Sequence, residues 1–120
     1  MDKSILVVDD TRSMRKMVAG VLAGAGYEVS EAADGAEALQ LAQVRQFDLV
    51  VTDHNMPRMD GVTLVRALRR LSHYDAVALI VLSTEVDPVL KQKGREAGAT
   101  GWMVKPFDPQ RMLEIVAKFI

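Results

Sequence analysis

Short apolar runs alternate with segments of helical periodicity along the whole chain, and that alternation leaves few folds open. The clearest runs are Ile5-Leu6-Val7-Val8, Leu49-Val50-Val51-Thr52, Leu79-Ile80-Val81-Leu82 within a longer strand from Val77, and Trp102-Met103-Val104 at the end of Thr100 to Val104. Tyr27 to Glu31 reads as a fifth, shorter strand, and Leu49 to Thr52 as the buried central one. Five strands alternating with five helices imply right-handed crossovers and helices on both sheet faces. The expected fold is therefore α/β: a doubly wound, five-stranded parallel sheet in a single domain over residues 1–120.

The helices carry their own punctuation. Thr11 to Ala25 places Met14, Met17, Val18, Val21 and Leu22 at helical spacing, and Gly24-Ala25-Gly26 stops it. Asp34 is placed to cap a helix bearing Ala38, Leu39, Leu41 and Ala42. Asp60-Gly61 opens a third, with Leu64, Val65, Leu68 and Leu71. Asp87-Pro88 and Asp108-Pro109 open the last two by the same device, a capping carboxylate followed by proline where the missing N–H costs nothing. The final helix is expected to run to the chain end.

A chain of 120 residues is long enough to bury a real core, and with no cysteine it has neither a disulfide framework nor a cysteine-ligated zinc site. A net charge of −1 gives no electrostatic reason to expect a nucleic-acid or membrane partner. The start, Met1-Asp2-Lys3-Ser4, lacks the apolar stretch of a secretory signal, and the longest apolar run, Ala76 to Leu82, is far below the ~20 residues of a membrane span. A cytoplasmic monomer is the expectation.

Four of the runs end on residues suited to phosphate chemistry: Asp9-Asp10, Asp53, Ser83 and Lys105. Ligands of open α/β sheets bind outside the carboxyl ends of the strands, so three acids, a hydroxyl and an ammonium converge on one rim. Magnesium takes oxygen ligands from one or two carboxylates, waters and phosphate, and unpaired clustered carboxylates would raise one another's pKa. A carboxylate is a competent nucleophile toward phosphorus once charge on the transferred group is neutralised. Asp53, alone at its strand end, is the natural nucleophile, with Lys105 as fixed cation and Ser83 as donor. Each residue taken singly has an ordinary reading, as a cap, a turn residue, a surface lysine or a loop hydroxyl. Their joint placement at four strand ends does not.

Val7-Val8-Asp9-Asp10, Asp53 through Gly61, Ser83-Thr84-Glu85, and Gly98 through Phe107 are motifs in which the whole chain resembles receiver domains of two-component response regulators, most closely the stand-alone chemotaxis type. The resemblance implies a flavodoxin-like strand order, 2-1-3-4-5. It also implies phosphoryl transfer to Asp53 from a histidine kinase phosphohistidine. Magnesium would be held by Asp9, partly through water, by Asp10 and Asp53, and by the Asn55 backbone carbonyl. In that family the Lys105-Pro106 bond is cis, Lys105 pairs with the phosphoryl group, Ser83 moves to bond it, and Trp102 is the aromatic switch residue. Asn55 and Glu85 border the path of the hydrolytic water and tune the lifetime of the acyl phosphate. Ser83 stands where threonine is commoner, and Trp102 where the best-known members carry tyrosine.

The resemblance also implies output by docking on the face formed by the fourth helix, fifth strand and fifth helix, with Lys91, Trp102 and Ile115 expected to contribute; a flagellar motor switch is one such target. The fourth helix looks weakly held, since Gly94 costs about 1 kcal/mol relative to alanine and Lys91, Gln92, Lys93 and Arg95 offer little apolar surface. In the last helix Met112, Val116, Phe119 and Ile120 read as one core stripe with Ile115 at its margin. Arg66, Arg69 and Arg70 read as a solvated face, and His54 and His73 receive no role. A phosphate sink or an adaptor in another pathway fits the same residues. An aspartate-nucleophile phosphatase fits less well, because its two acids stand two positions apart whereas Asp9 and Asp10 are adjacent. No GxxxxGK[ST] loop is present for a nucleotide.

Overall fold

A computed structural model describes residues 2–120. The strands are β1 (Ser4–Val8), β2 (Glu28–Ala32), β3 (Leu49–Asp53), β4 (Ala78–Ser83) and β5 (Gly101–Val104); the helices are α1 (Arg12–Gly24), α2 (Gly35–Val44), α3 (Gly61–Leu68), α4 (Pro88–Ala97) and α5 (Pro109–Phe119). All strand pairs are parallel, in the order β2-β1-β3-β4-β5. The chain steps from β1 outward to β2, then returns to the other side of β1 for β3. The order therefore reverses between β1 and β3, where a crevice opens at the carboxyl ends.

The pleat divides the core in two. Ile5, Val7, Leu49, Val51, Ile80, Leu82 and Met103 point to one face and pack with Val18 and Leu22 of α1 and Met112 and Val116 of α5. Leu6, Val8, Val50, Leu79 and Val81 point to the other and pack with Ala38 and Ala42 of α2, Val62, Leu64, Val65 and Leu68 of α3 and Ala97 of α4. Burial on both faces is why β1, β3 and β4 read as continuous apolar runs. Asp34, Asp60, Asp87 and Asp108 each accept a backbone N–H of the first helical turn, satisfying donors the helix leaves unpaired. No helix among the described residues is long and apolar enough to cross a membrane.

Several boundaries and faces differ from the sequence reading. Strands β2 and β5 begin one residue later than expected, and β4 runs from Ala78 to Ser83. Helix α3 stops at Leu68, and Leu71 instead precedes an unforeseen 3₁₀ turn, Ser72–Tyr74. That turn buries Tyr74, whose hydroxyl donates to the Arg45 carbonyl and accepts from the Phe47 N–H, which pays for burying the phenol. Met17 and Phe119 are exposed, because each has drifted off the sheet-facing stripe of its helix.

Arg69 is the main correction. It donates to the carbonyls of Tyr74, Val77 and Gly98 and to the Thr100 hydroxyl, so it clamps the end of α3 to the start of β4 and the α4–β5 turn. Five N–H donors in a rigid fork suit several carbonyls that helix and strand ends leave unpaired. Burial lowers its pKa from the ordinary arginine value, with the guanidinium still charged.

Candidate functional site

The site is assembled where β1 and β3 lie side by side. Register pairs Val8 with Thr52, which brings Asp9 and Asp53 next to each other, one residue further on. Carboxylate oxygens of Asp9, Asp10 and Asp53 lie within 4.8 Å of one another, with Asp9 and Asp53 buried and Asp10 open to solvent. From the next strand but one, Lys105 brings Nζ to 2.6 Å from Asp53 Oδ1 and 3.7 Å from Asp9 Oδ2. Apart from this ion pair, the buried Oδ1 of Asp53 has no hydrogen-bond partner. Such an atom costs stability unless something else coordinates it.

Burial raises the Asp9 carboxyl above its ordinary pKa; the neighbouring Asp53 and Asp10 charges push the same way, while the Thr11 N–H and Lys105 oppose them. One lysine among three carboxylates leaves the cluster net negative. Three convergent hard oxygen donors, one exposed and one otherwise orphaned, fit a small divalent cation that retains waters.

The surrounding backbone is held tightly. Arg15 of α1 donates to the Asp9 carbonyl and pairs with Glu31 of β2, fixing the β1 exit, a tie the sequence reading missed. Behind Asp53, the His54 N–H reaches the Leu82 carbonyl and the His54 carbonyl accepts from Met56 and Gly61. His54 is buried, and its Nδ1 accepts from the Val62 N–H at 3.3 Å. A Cβ at Gly61 would stand 2.6 Å from the Asp53 carbonyl oxygen and 2.8 Å from His54 Cα, so only glycine lets α3 start against the acceptor strand. Arg58, in the same loop, is the one described non-glycine residue with positive φ, at 67°.

Ser83 is fully buried at the end of β4, and its Oγ accepts from the Glu85 N–H at 3.0 Å. The hydroxyl proton remains to donate elsewhere. The Lys105 N–H bonds the Ser83 carbonyl, so donor and cation sit on adjacent strands, and the Lys105-Pro106 bond is cis. Asn55 and Glu85 are exposed at the rim, where Asn55 Oδ1 lies 3.5 Å from the Thr84 hydroxyl.

Away from the acids, Trp102 is half-buried in β5, its ring centroid 5.9 Å from that of His54. A cleft of about 220 Å³ beside it is lined by Lys91, Arg95, Ala99, Thr100 and Gly101. Ile115 is half-buried against the α1/α5 core rather than fully displayed, and Lys91 is exposed. Thus Asp9, Asp10, Asp53 and Lys105 form one cluster, with Ser83 and Asn55 beside it, whereas Trp102, Lys91 and Ile115 lie outside it.

Residues 5–117 match the response regulator receiver domain family. The chain is 37% identical to the chemotaxis protein CheY of Pseudomonas aeruginosa over 95% of this chain and 93% of that protein. It is 41% identical to the probable transcriptional regulator ycf27 of Cyanophora paradoxa over 92% of this chain but only 45% of that protein, so it spans about half the length of such regulators. Among solved structures, chemotaxis protein CheY4 of Vibrio cholerae superposes with a TM-score of 0.96 at 45% identity, covering 100% of both chains.

Proposed function

The chain belongs to the response regulator receiver domain family, as a CheY-like regulator of two-component signalling, and from that membership we propose that it is a phosphoacceptor switch whose acceptor is Asp53. The observation that supports this most is the ion pair between Lys105 Nζ and Asp53 Oδ1, set inside a three-carboxylate cluster. The lysine offsets part of the charge on a transferred group, and the two further acids can recruit the divalent cation that offsets the rest.

In the proposed reaction a carboxylate oxygen of Asp53 attacks the phosphorus of a kinase phosphohistidine. The new P–O bond forms as the P–N bond breaks, and the imidazole leaves with the electron pair. Asp9, Asp10, Asp53 and the Asn55 backbone carbonyl would hold Mg²⁺, which when bound neutralises charge on the transferred group. Lys105 balances one phosphoryl oxygen, and the Ser83 hydroxyl turns its free proton to another. Asn55 and Glu85, at the rim, govern access of the hydrolytic water. The phosphoryl group shifts the switch only by its differential contacts with the two states of Ser83 and Trp102.

The donor would be a histidine kinase of the chemotaxis type, acting on this chain in the cytoplasm. The downstream protein would dock on α4, β5 and α5, where Lys91, Trp102 and Ile115 meet solvent wholly or in part. Thermal unfolding tests the cation site: millimolar Mg²⁺ raises the midpoint of the wild type, and Asp10→Asn removes the rise. An equal rise in both proteins would contradict this assignment.

A further inference from the structure

Gly94 sits in the interior of α4, where glycine is a poor helix former, yet it is buried. A Cβ built there would stand 2.6 Å from Cζ3 and 3.0 Å from Cε3 of Trp102. The indole thus fills the space that any other residue would occupy. The atoms concerned belong to the six-membered ring itself, and tryptophan has only two side-chain torsions, so relief requires the whole ring to reorient. The neighbouring His54 ring, 5.9 Å away and tilted by 44°, belongs to a residue fixed on α3 through Val62 and next in sequence to Asp53.

We propose that Gly94 is a positioning residue for Trp102: its side-chain-free notch seats the indole, so that α4 and the ring form a latch in which one cannot shift without the other. The latch deepens the switch assigned to Trp102 above and explains how β5 accommodates tryptophan there. Arg69 holds the C-terminal end of α4 through the Gly98 carbonyl, and the ring holds its middle. The N-terminal end has the Asp87 cap and the half-buried Leu90 at the edge of the core, with Val86 and Val89 exposed. Release of the ring would therefore leave the end of α4 that follows the Ser83 loop held by Leu90 and the cap.

Trp102 is the sole tryptophan, so its fluorescence reports the seat directly. Gly94→Ala is expected to red-shift emission, increase acrylamide quenching and lower the urea midpoint, although alanine is the better helix former. In a Trp102→Leu background the same substitution is expected to raise the midpoint, because the obstruction is gone. If Gly94→Ala does not fold alone, its rescue by Trp102→Leu supports the latch, and failure to fold in both backgrounds overturns it. A raised midpoint with unchanged emission and quenching in Gly94→Ala also overturns it. These readouts need no phosphodonor. Loss of the latch with intact labelling of Asp53 is thereby separated from failure of the phosphoacceptor reading.

Discussion

Asp53 is shaped as much by a neighbour without a side chain as by its charged partners. Gly61 lets α3 begin on the Asp53 and His54 backbone, and neither the carbonyl nor the Cα it faces has a torsion that would yield. Gly61→Ala should therefore destabilise the fold by about 1–3 kcal/mol, read as a lower urea midpoint with unchanged m. Glu31 makes the opposite kind of contribution. Hydrogen bonding and pairing with Lys16, aided by Arg15 and opposed by slight burial, lower its pKa from the ordinary 4.5. A depressed folded-state pKa gives stability that is present above pH 4.5 and lost as the pH falls through the folded value. Glu31→Gln should thus cost about 1 kcal/mol or less at neutral pH, with the difference from wild type vanishing in acid. The charged site residues were legible in the sequence because each ends an apolar run. Gly61, Gly94 and His54 were not, since their roles are set by what lies across the fold.

Helix α4 illustrates the same division between local and distant causes. Its start was readable from Asp87-Pro88, whose cap and proline act within one turn. Its anchorage was not, because the sequence shows a charged, glycine-containing segment while the holding groups come from α3 and β5. Arg69 seemed one of three solvated arginines, yet three carbonyls from separate elements converge on it. Removing it takes the charged donor from the partly buried Val77 and Gly98 carbonyls and leaves Tyr74 only its bond from the Val77 N–H, so Arg69→Ala should cost about 2–4 kcal/mol. Amide exchange should rise at the α4–β5 turn around Gly98 more than in α1. Arg69→Lys should not restore it, since an ammonium lacks the planar fork.

At the scale of the whole molecule, topology places the chemistry. Parallel strands with crossover helices put every strand end on one rim, and the reversal between β1 and β3 brings Asp9 to Asp53. The common rim followed from the alternation of apolar runs and helical patterns, whereas the strand order followed only from the family resemblance. The 3₁₀ turn that buries Tyr74 did not, because its stabilising bonds reach back to Arg45 and Phe47. The proposed function requires that the rim make Asp53 a magnesium-dependent phosphoryl acceptor. Intact mass after incubation with acetyl phosphate and Mg²⁺ tests it most directly: one added phosphoryl group on the wild type, lost without Mg²⁺ and absent from Asp53→Asn. No mass gain on the wild type, or equal labelling of Asp53→Asn, would contradict it.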